Sequence, residues 1–133
     1  MFNYFVTNEK VMENKNKTGG GEIASIEVSQ FSKTELRVGQ ILAATPMPSS
    51  EKTLKLEVDL GAHRPSLQIL AGIGKHYPPQ SLIGRKVVVV ANLVPTTYMG
   101  ERNEGLLLSA SDDKGNLELV SPGPVMSPGS AVR

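Results

Sequence analysis

Residues 53–61, TLKLEVDLG, constrain the fold more than any other stretch of the chain. Leu54, Leu56, Val58 and Leu60 alternate with Lys55, Glu57 and Asp59. A period of two sends successive side chains to opposite faces of a strand, so one face is apolar and the other wet. A strand of this kind needs partner strands and a core on its apolar side. The chain must therefore supply a sheet around it.

The partners are legible. LRVGQILAAT (36–45) is β-rich, and Gly39 inside it marks a bulge or tight bend. SLQILAG (66–72) reads as a third strand, and KVVVVANLV (86–94) as a fourth, buried on both faces. EGLLLSA (104–110) reads as a fifth, and NLELV (116–120) as a short sixth behind the hairpin turn DDKGN (112–116). Between the third and fourth, KHYPPQSLIG (75–84) carries turn residues and a single helical turn starting at Pro79. Five strands with a helix between the third and fourth is the order of an oligonucleotide/oligosaccharide-binding (OB) barrel, an all-β fold. The tail VSPGPVMSPGSAVR, with Pro122, Pro124 and Pro128, is excluded from an inner strand. It is expected to wrap the barrel as an extended segment or to contribute to an interface.

At 133 residues the chain fits one domain, and residues 26–133 are read as that domain. Residues 1–25 are read as a flexible leader or linker: 8–22 are polar and charged and end in Gly19-Gly20-Gly21. The N-terminal MFNYFV is too short for a signal segment, and the longest apolar run, Val87 to Ala91, is too short to span a bilayer. With no cysteine there is no disulfide and no thiolate metal site. The reading is a cytoplasmic protein without membrane attachment. Fourteen basic and 13 acidic residues give a net charge of +1, so any basic face is local.

Catalytic patterns are absent. LAGIGKHY (70–77) fails as a phosphate loop: the required first glycine is Ile69, and His76 follows Lys75 where Ser or Thr would hold magnesium. His63 and His76 have no third ligand at metal-site spacing and are read as solvated. No nucleophile, base and orienting group assemble, so no enzyme, no metal and no cofactor is expected.

Four segments in order carry a resemblance: ELRVGQI (35–41), SSEKTLKLEVDLG (49–61), LQILAGIGKHYPPQSLIGRKVVVVANLVP (67–95) and MGERNEGLLLSA (99–110). Together they resemble the tRNA-binding domain appended to the C-terminus of many bacterial methionyl-tRNA synthetases. That domain also occurs as a free-standing structure-specific tRNA-binding protein and in the cytokine-like component of the multisynthetase complex. The resemblance spans residues 26–133, including the ending PGSAVR. It implies an OB barrel that forms a homodimer, grips the outer corner of tRNA and performs no chemistry itself. A synthetase catalytic domain is an implied further partner.

The hallmark loop of that family reads Ser-any-Gly-Met, and Asn103, Glu104, Gly105 and Leu106 stand at those positions. Asn92-Leu93-Val94-Pro95 keeps the family's Asn-Leu-X-Pro frame, with neutral Thr96 and Thr97 where basic residues are frequent. Lys52 matches the lysine of the first connecting loop and Arg37 the arginine of the first strand.

OB barrels bind on strands two and three and on the loops joining strands one to two and four to five. Here those loops are residues 46–52 and 95–104. The candidate tRNA contacts are Lys52, Lys75, Asn92, Tyr98, Arg102, Asn103, Gly105 and Leu106. Lys52 and Arg102 neutralise phosphates, Tyr98 offers a stacking face, and Asn103 donates and accepts towards a base edge or ribose hydroxyl. Lys75 is a surface cation. Structural alternatives stand beside them. Arg37 pairs with a carboxylate such as Asp59, Asn92 satisfies backbone at a strand end, Tyr98 and Met99 cap the barrel mouth, and Gly105 serves backbone geometry. Two other functions remain open: a secretion-chaperone-like homodimer that binds peptides, and a domain that only dimerises.

Overall fold

The computed structural model describes residues 23–133, which fall in two units, 23–33 and 34–133. In the first, the described residues include one helical turn, α1 (Val28–Phe31), whose start is held by the Glu27 amide donating to Gln30 Oε1 at 2.8 Å. The leader read at 1–25 lies, apart from residues 23–25, outside the described residues.

In the second unit, β1 (Leu36–Pro46) organises the sheet. β2 (Leu54–Asp59) and β3 (Leu67–Ala71) follow as an antiparallel meander, with a 3₁₀ turn at Gly61–His63 between them. The helical turn α2 (Pro79–Leu82) leads into β4 (Lys86–Val90). Next come a hairpin, β5 (Thr96–Tyr98) and β6 (Glu101–Asn103), and the short β7 (Leu106–Leu107). The strand order β3-β2-β1-β4-β7, all antiparallel, is that of a nearly closed five-stranded OB-like barrel with a helical turn between its third and fourth strands. A second hairpin, β8 (Ser109–Ser111) and β9 (Leu117–Leu119), and the C-terminal β10 (Ala131–Val132) complete the unit.

The alternation at 53–61 does what its pattern demands. Leu54, Leu56, Val58 and Leu60 are at most 3 % exposed and join Ile41, Leu67, Ile69, Leu82, Val87, Val89 and Leu107 in one core. Full burial of such side chains contributes about 1.5–3 kcal/mol each. In β4 the residues Val87 to Val90 are all buried, as a strand covered on both faces requires. Leu107 points into the core, while Leu106 stays 43 % exposed.

Gly39 has a packing role. A Cβ there would collide with Val58 Cγ1, because β2 crosses β1 closely at this point. The bulge itself lies at Leu42, where the pairing with β2 slips between Ile41 and Ala43. β1 thereby bends and uses one edge twice. Residues 40–46 pair with β2, and Leu36 and Arg37 pair with β10.

The expected fourth and fifth strands are cut shorter. β4 ends at Val90: the Ala91 amide makes one last in-register bond to Glu35 O (2.8 Å), but the Glu35 amide donates to Asn92 Oδ1 (2.9 Å), Ala91 O accepts from Arg64 (2.7 Å), and the chain then leaves the sheet. The 104–110 strand changes partner: residues 106–107 pair with β4, and residues 109–111 pair with β9. Leu108 sits at the exchange, donating to Val88 O at 3.0 Å and accepting from the Val120 amide at 3.0 Å. The tail wraps as expected. It is clamped by Gly129 N to Val38 O (2.7 Å) and Val38 N to Ser130 O (2.9 Å) before β10 joins β1.

Candidate nucleic-acid interface

Residues 95–104 were expected to be a loop, but β5 and β6 make a hairpin of most of it. Thr96 pairs with Asn103, Thr97 with Arg102 and Tyr98 with Glu101, leaving Met99-Gly100 as a two-residue turn. Gly100 has φ +81° and Met99 φ +51°, the left-handed geometry that such a turn needs.

The hairpin is tied along β2 and β3. Glu101 accepts from Lys55 Nζ at 3.3 Å and from Gln68 Nε2 at 3.2 Å. Gln68 Nε2 also donates to Arg102 O at 2.8 Å. The barrel is closed by side chains standing in for a ladder. Asn103 Oδ1 accepts the Leu70 amide at 3.0 Å, and Glu104 Oε1 accepts the Gln68 amide at 2.8 Å. The Glu104 amide returns to Gln68 O at 2.8 Å. The Gln68 amide bond lowers the Glu104 pKa most. Partial burial opposes it, and the Arg102 and Arg64 charges add to the lowering. Gly105 is buried, and a Cβ there would lie 2.9 Å from Val90 O. Its backbone role is therefore spatial.

The loop between β1 and β2 meets this hairpin. Ser49 Oγ donates to Met99 Sδ at 2.9 Å. The same loop meets the turn after β3, where the Gly74 amide donates to Lys52 O at 2.7 Å. The structure thus gathers Lys52, Lys75 and the hairpin tip around one rim, with Lys52 and Lys75 exposed. Arg102 has a side chain 64 % exposed and is paired with Glu104 at 3.1 Å.

The candidates are not one platform. Cross-strand partners share a face and neighbours alternate, so Tyr98, Glu101 and Asn103 are on one face of the hairpin and Arg102 is on the other. Asn92 and Leu106 lie at the hairpin root, away from the tip. Asn92 Oδ1 accepts the Glu35 amide at 2.9 Å, the backbone role weighed for it. Arg37 does not pair with Asp59. Asp59 stands opposite Gln40, three residues along β1, and accepts from the Gly61 amide at 2.9 Å. Arg37 instead reaches Glu35 (2.9 Å) and Gly129 O (3.1 Å). His63 also binds Glu35, at 2.7 Å, and His76 pairs with Gly115 O at 3.1 Å, so each exposed histidine has a protein partner. Among the described residues, no group of three or more metal-ligating side chains is placed to hold an ion.

Glu35, Lys55, Gln68 and Glu101 escaped the sequence reading of the site. Lys55 alone had a local signal, its place on the polar face of 53–61; the other three carry none.

Known proteins resemble the chain over the whole of this barrel. Residues 36–131 match the family described as a putative tRNA binding domain. The chain is 41% identical over 127 residues to the methionine–tRNA ligase of Methanocaldococcus jannaschii, covering 94% of this chain and 19% of that protein. It is 40% identical over 124 residues to the Thermotoga maritima enzyme of the same name, covering 93% of this chain and 19% of the other. The chain thus spans about a fifth of these relatives (19%). Among solved structures, a MetRS related protein from Pyrococcus horikoshii superposes with a TM-score of 0.77 at 29% identity, covering 84% of this chain and 100% of that one. The chaperone CsaA from Bacillus anthracis gives a TM-score of 0.74 at 29% identity, covering 83% and 100%. With a family match over residues 36–131 and a barrel shared with solved relatives, the chain belongs to the putative tRNA-binding domain family.

Proposed function

We propose that this chain is a non-catalytic module that binds the outer corner of tRNA by its shape and acts as a homodimer in the cytoplasm. It does so by itself or joined to a methionyl-tRNA synthetase catalytic domain. The observation that carries this reading is the rim where the β1–β2 loop, the turn after β3 and the tip of the β5–β6 hairpin converge, with Lys52 and Lys75 exposed there and Arg102 exposed on one face of the hairpin. Phosphate contacts by such cations position a nucleic acid without reading its sequence. Asn92, Tyr98, Asn103, Gly105 and Leu106 are the further candidate contacts, with Asn103 and Gly105 also holding the hairpin's base against β3 and β4.

The test is a titration with folded tRNA and with unstructured RNA over a range of salt. Folded tRNA is expected to bind more tightly and to be released as salt rises. The double change Lys52→Ala with Arg102→Ala is expected to lower the salt slope by about 2. Equal affinity for any polyanion, or an unaltered slope in the double variant, defeats the reading. Light scattering of the free chain tests the dimer.

A second reading has one specific support, the likeness to chaperone CsaA. Leu93, Val94 and Leu106 are 45%, 84% and 43% exposed, an apolar set around the hairpin root that would suit an extended peptide. Displacement of tRNA by unstructured apolar peptides would favour it.

A further inference from the structure

Met99 is the sole non-glycine residue with positive φ among the described residues (φ +51°). Asn, Asp and Gly are the residues that take this place in a two-residue hairpin turn without strain. A flexible apolar side chain is held there instead, 52% exposed at the hairpin tip. Backbone strain of this kind persists where surrounding structure enforces it, and it concentrates at ligand clamps. The β5–β6 pairing imposes the turn at Met99-Gly100, and Ser49 of the β1–β2 loop donates its hydroxyl to the Met99 sulfur at 2.9 Å. This contact bridges the two loops that flank the ligand face of the fold. Tyr98, the aromatic ring of the hairpin, shares a face with Glu101 and Asn103, which bind β2 and β3. Met99 caps the turn and is not committed to that face.

We infer that Met99 is an RNA-contacting residue, an apolar tip that packs against an exposed base or ribose face of the bound nucleic acid. This rests on the tRNA-binding reading. The thioether is polarisable and adaptable, which suits a surface that tolerates different bases. The contact is uncharged, so it adds affinity without adding counterion release.

The experiment compares the full chain with Met99→Asn, Met99→Leu and Ser49→Ala in tRNA titrations at several salt concentrations, alongside thermal unfolding. Asn relieves the left-handed strain and removes the apolar tip. M99N is expected to unfold at the same or a higher temperature yet bind tRNA roughly fivefold or more weakly, the lower end of what one base contact contributes. Its salt slope is expected to match the native chain. M99L is expected to keep most of the affinity, and S49A to stay within about twofold, because the apolar tip remains in both. Native affinity in M99N, alongside the expected loss in the Lys52→Ala/Arg102→Ala variant, overturns the inference and leaves tRNA binding standing. A lower unfolding temperature in M99N overturns the strain argument. A loss in S49A equal to that in M99N means that Met99 only latches the loops, and overturns the contact. No tRNA binding by the native chain overturns both readings together.

Discussion

Asn103 reaches back from the hairpin to accept the Leu70 amide at 3.0 Å, which makes a side chain part of the barrel wall. β3 is an edge at this point, and no strand is in register to take that N–H. Asn103 and Glu104 together seal the seam, so the residues that lead into the leucine run shape the rim as well as facing it.

Asn103→Ala removes the acceptor and leaves a partly buried N–H without a partner. It is expected to cost about 1–3 kcal/mol of stability. Asn103→Asp keeps an oxygen in place and is expected to cost less. Urea unfolding of both variants checks the order. Equal losses would mean that the Leu70 amide is satisfied by solvent.

Gly129 and Gly84 separate two reasons for glycine. Both have positive φ, +92° and +86°. A Cβ at 84 meets nothing within 4 Å, whereas one at 129 falls 2.5 Å from Leu60 O. Gly84→Ala is expected to show the conformational cost alone, about 1–2 kcal/mol. Gly129→Ala adds a backbone clash that pushes the tail off the 60–63 turn, and is expected to cost at least about twice as much by thermal unfolding.

Glu35 links the start of β1 to the 3₁₀ turn through Arg37 and His63, and Arg37 carries the link on to the tail at Gly129 O. Partial burial opposes its ionisation. Hydrogen bonds from Arg37 and His63, with their charges, outweigh this and hold its pKa below the usual glutamate value of 4.5. A depressed folded-state pKa stabilises the protein fully above the unfolded value and is lost as pH falls through the folded value. Stability is therefore expected to fall below pH 4.5, with part of the fall assigned to this carboxyl. Glu35→Gln is expected to be less stable than the native chain at neutral pH, the difference shrinking on acidification. A difference constant from pH 7 to pH 3 would contradict the assignment.

Glu101 holds Lys55 at 3.3 Å on the outward side of β2, where a phosphate would otherwise compete for it. Glu101→Gln removes that carboxylate charge. The expected result is tighter tRNA binding at low salt, with a salt slope steeper by about 0.9. An unaltered slope would place Lys55 outside the RNA footprint.

Much of the barrel was legible. The alternation at 53–61, the buried run at 87–90, the helical turn at Pro79 and the proline-marked tail each depend on local pattern, and each appears where its pattern places it. Pairing partners were not legible. LLLSA reads as one strand, yet its first half pairs with β4 and its second with β9. Nothing local announces that exchange. The hairpin at 96–103 was missed for a related reason. Met99 in its turn is a poor marker, and three-residue strands carry almost no periodicity.

By itself the sequence determined which faces are apolar, where the turns marked by Gly and Pro fall and to which family the chain is similar, because burial period and turn chemistry act over a few residues. Tertiary structure alone decided what the polar residues do. Arg37 has Glu35 and not Asp59 beside it, Asn103 closes a seam, and Tyr98 and Arg102 lie on opposite faces. A polar side chain takes the partner that the folded backbone brings within hydrogen-bond reach: Asn103 finds the Leu70 amide on β3, and Arg37 adds Gly129 O of the tail to its near neighbour Glu35.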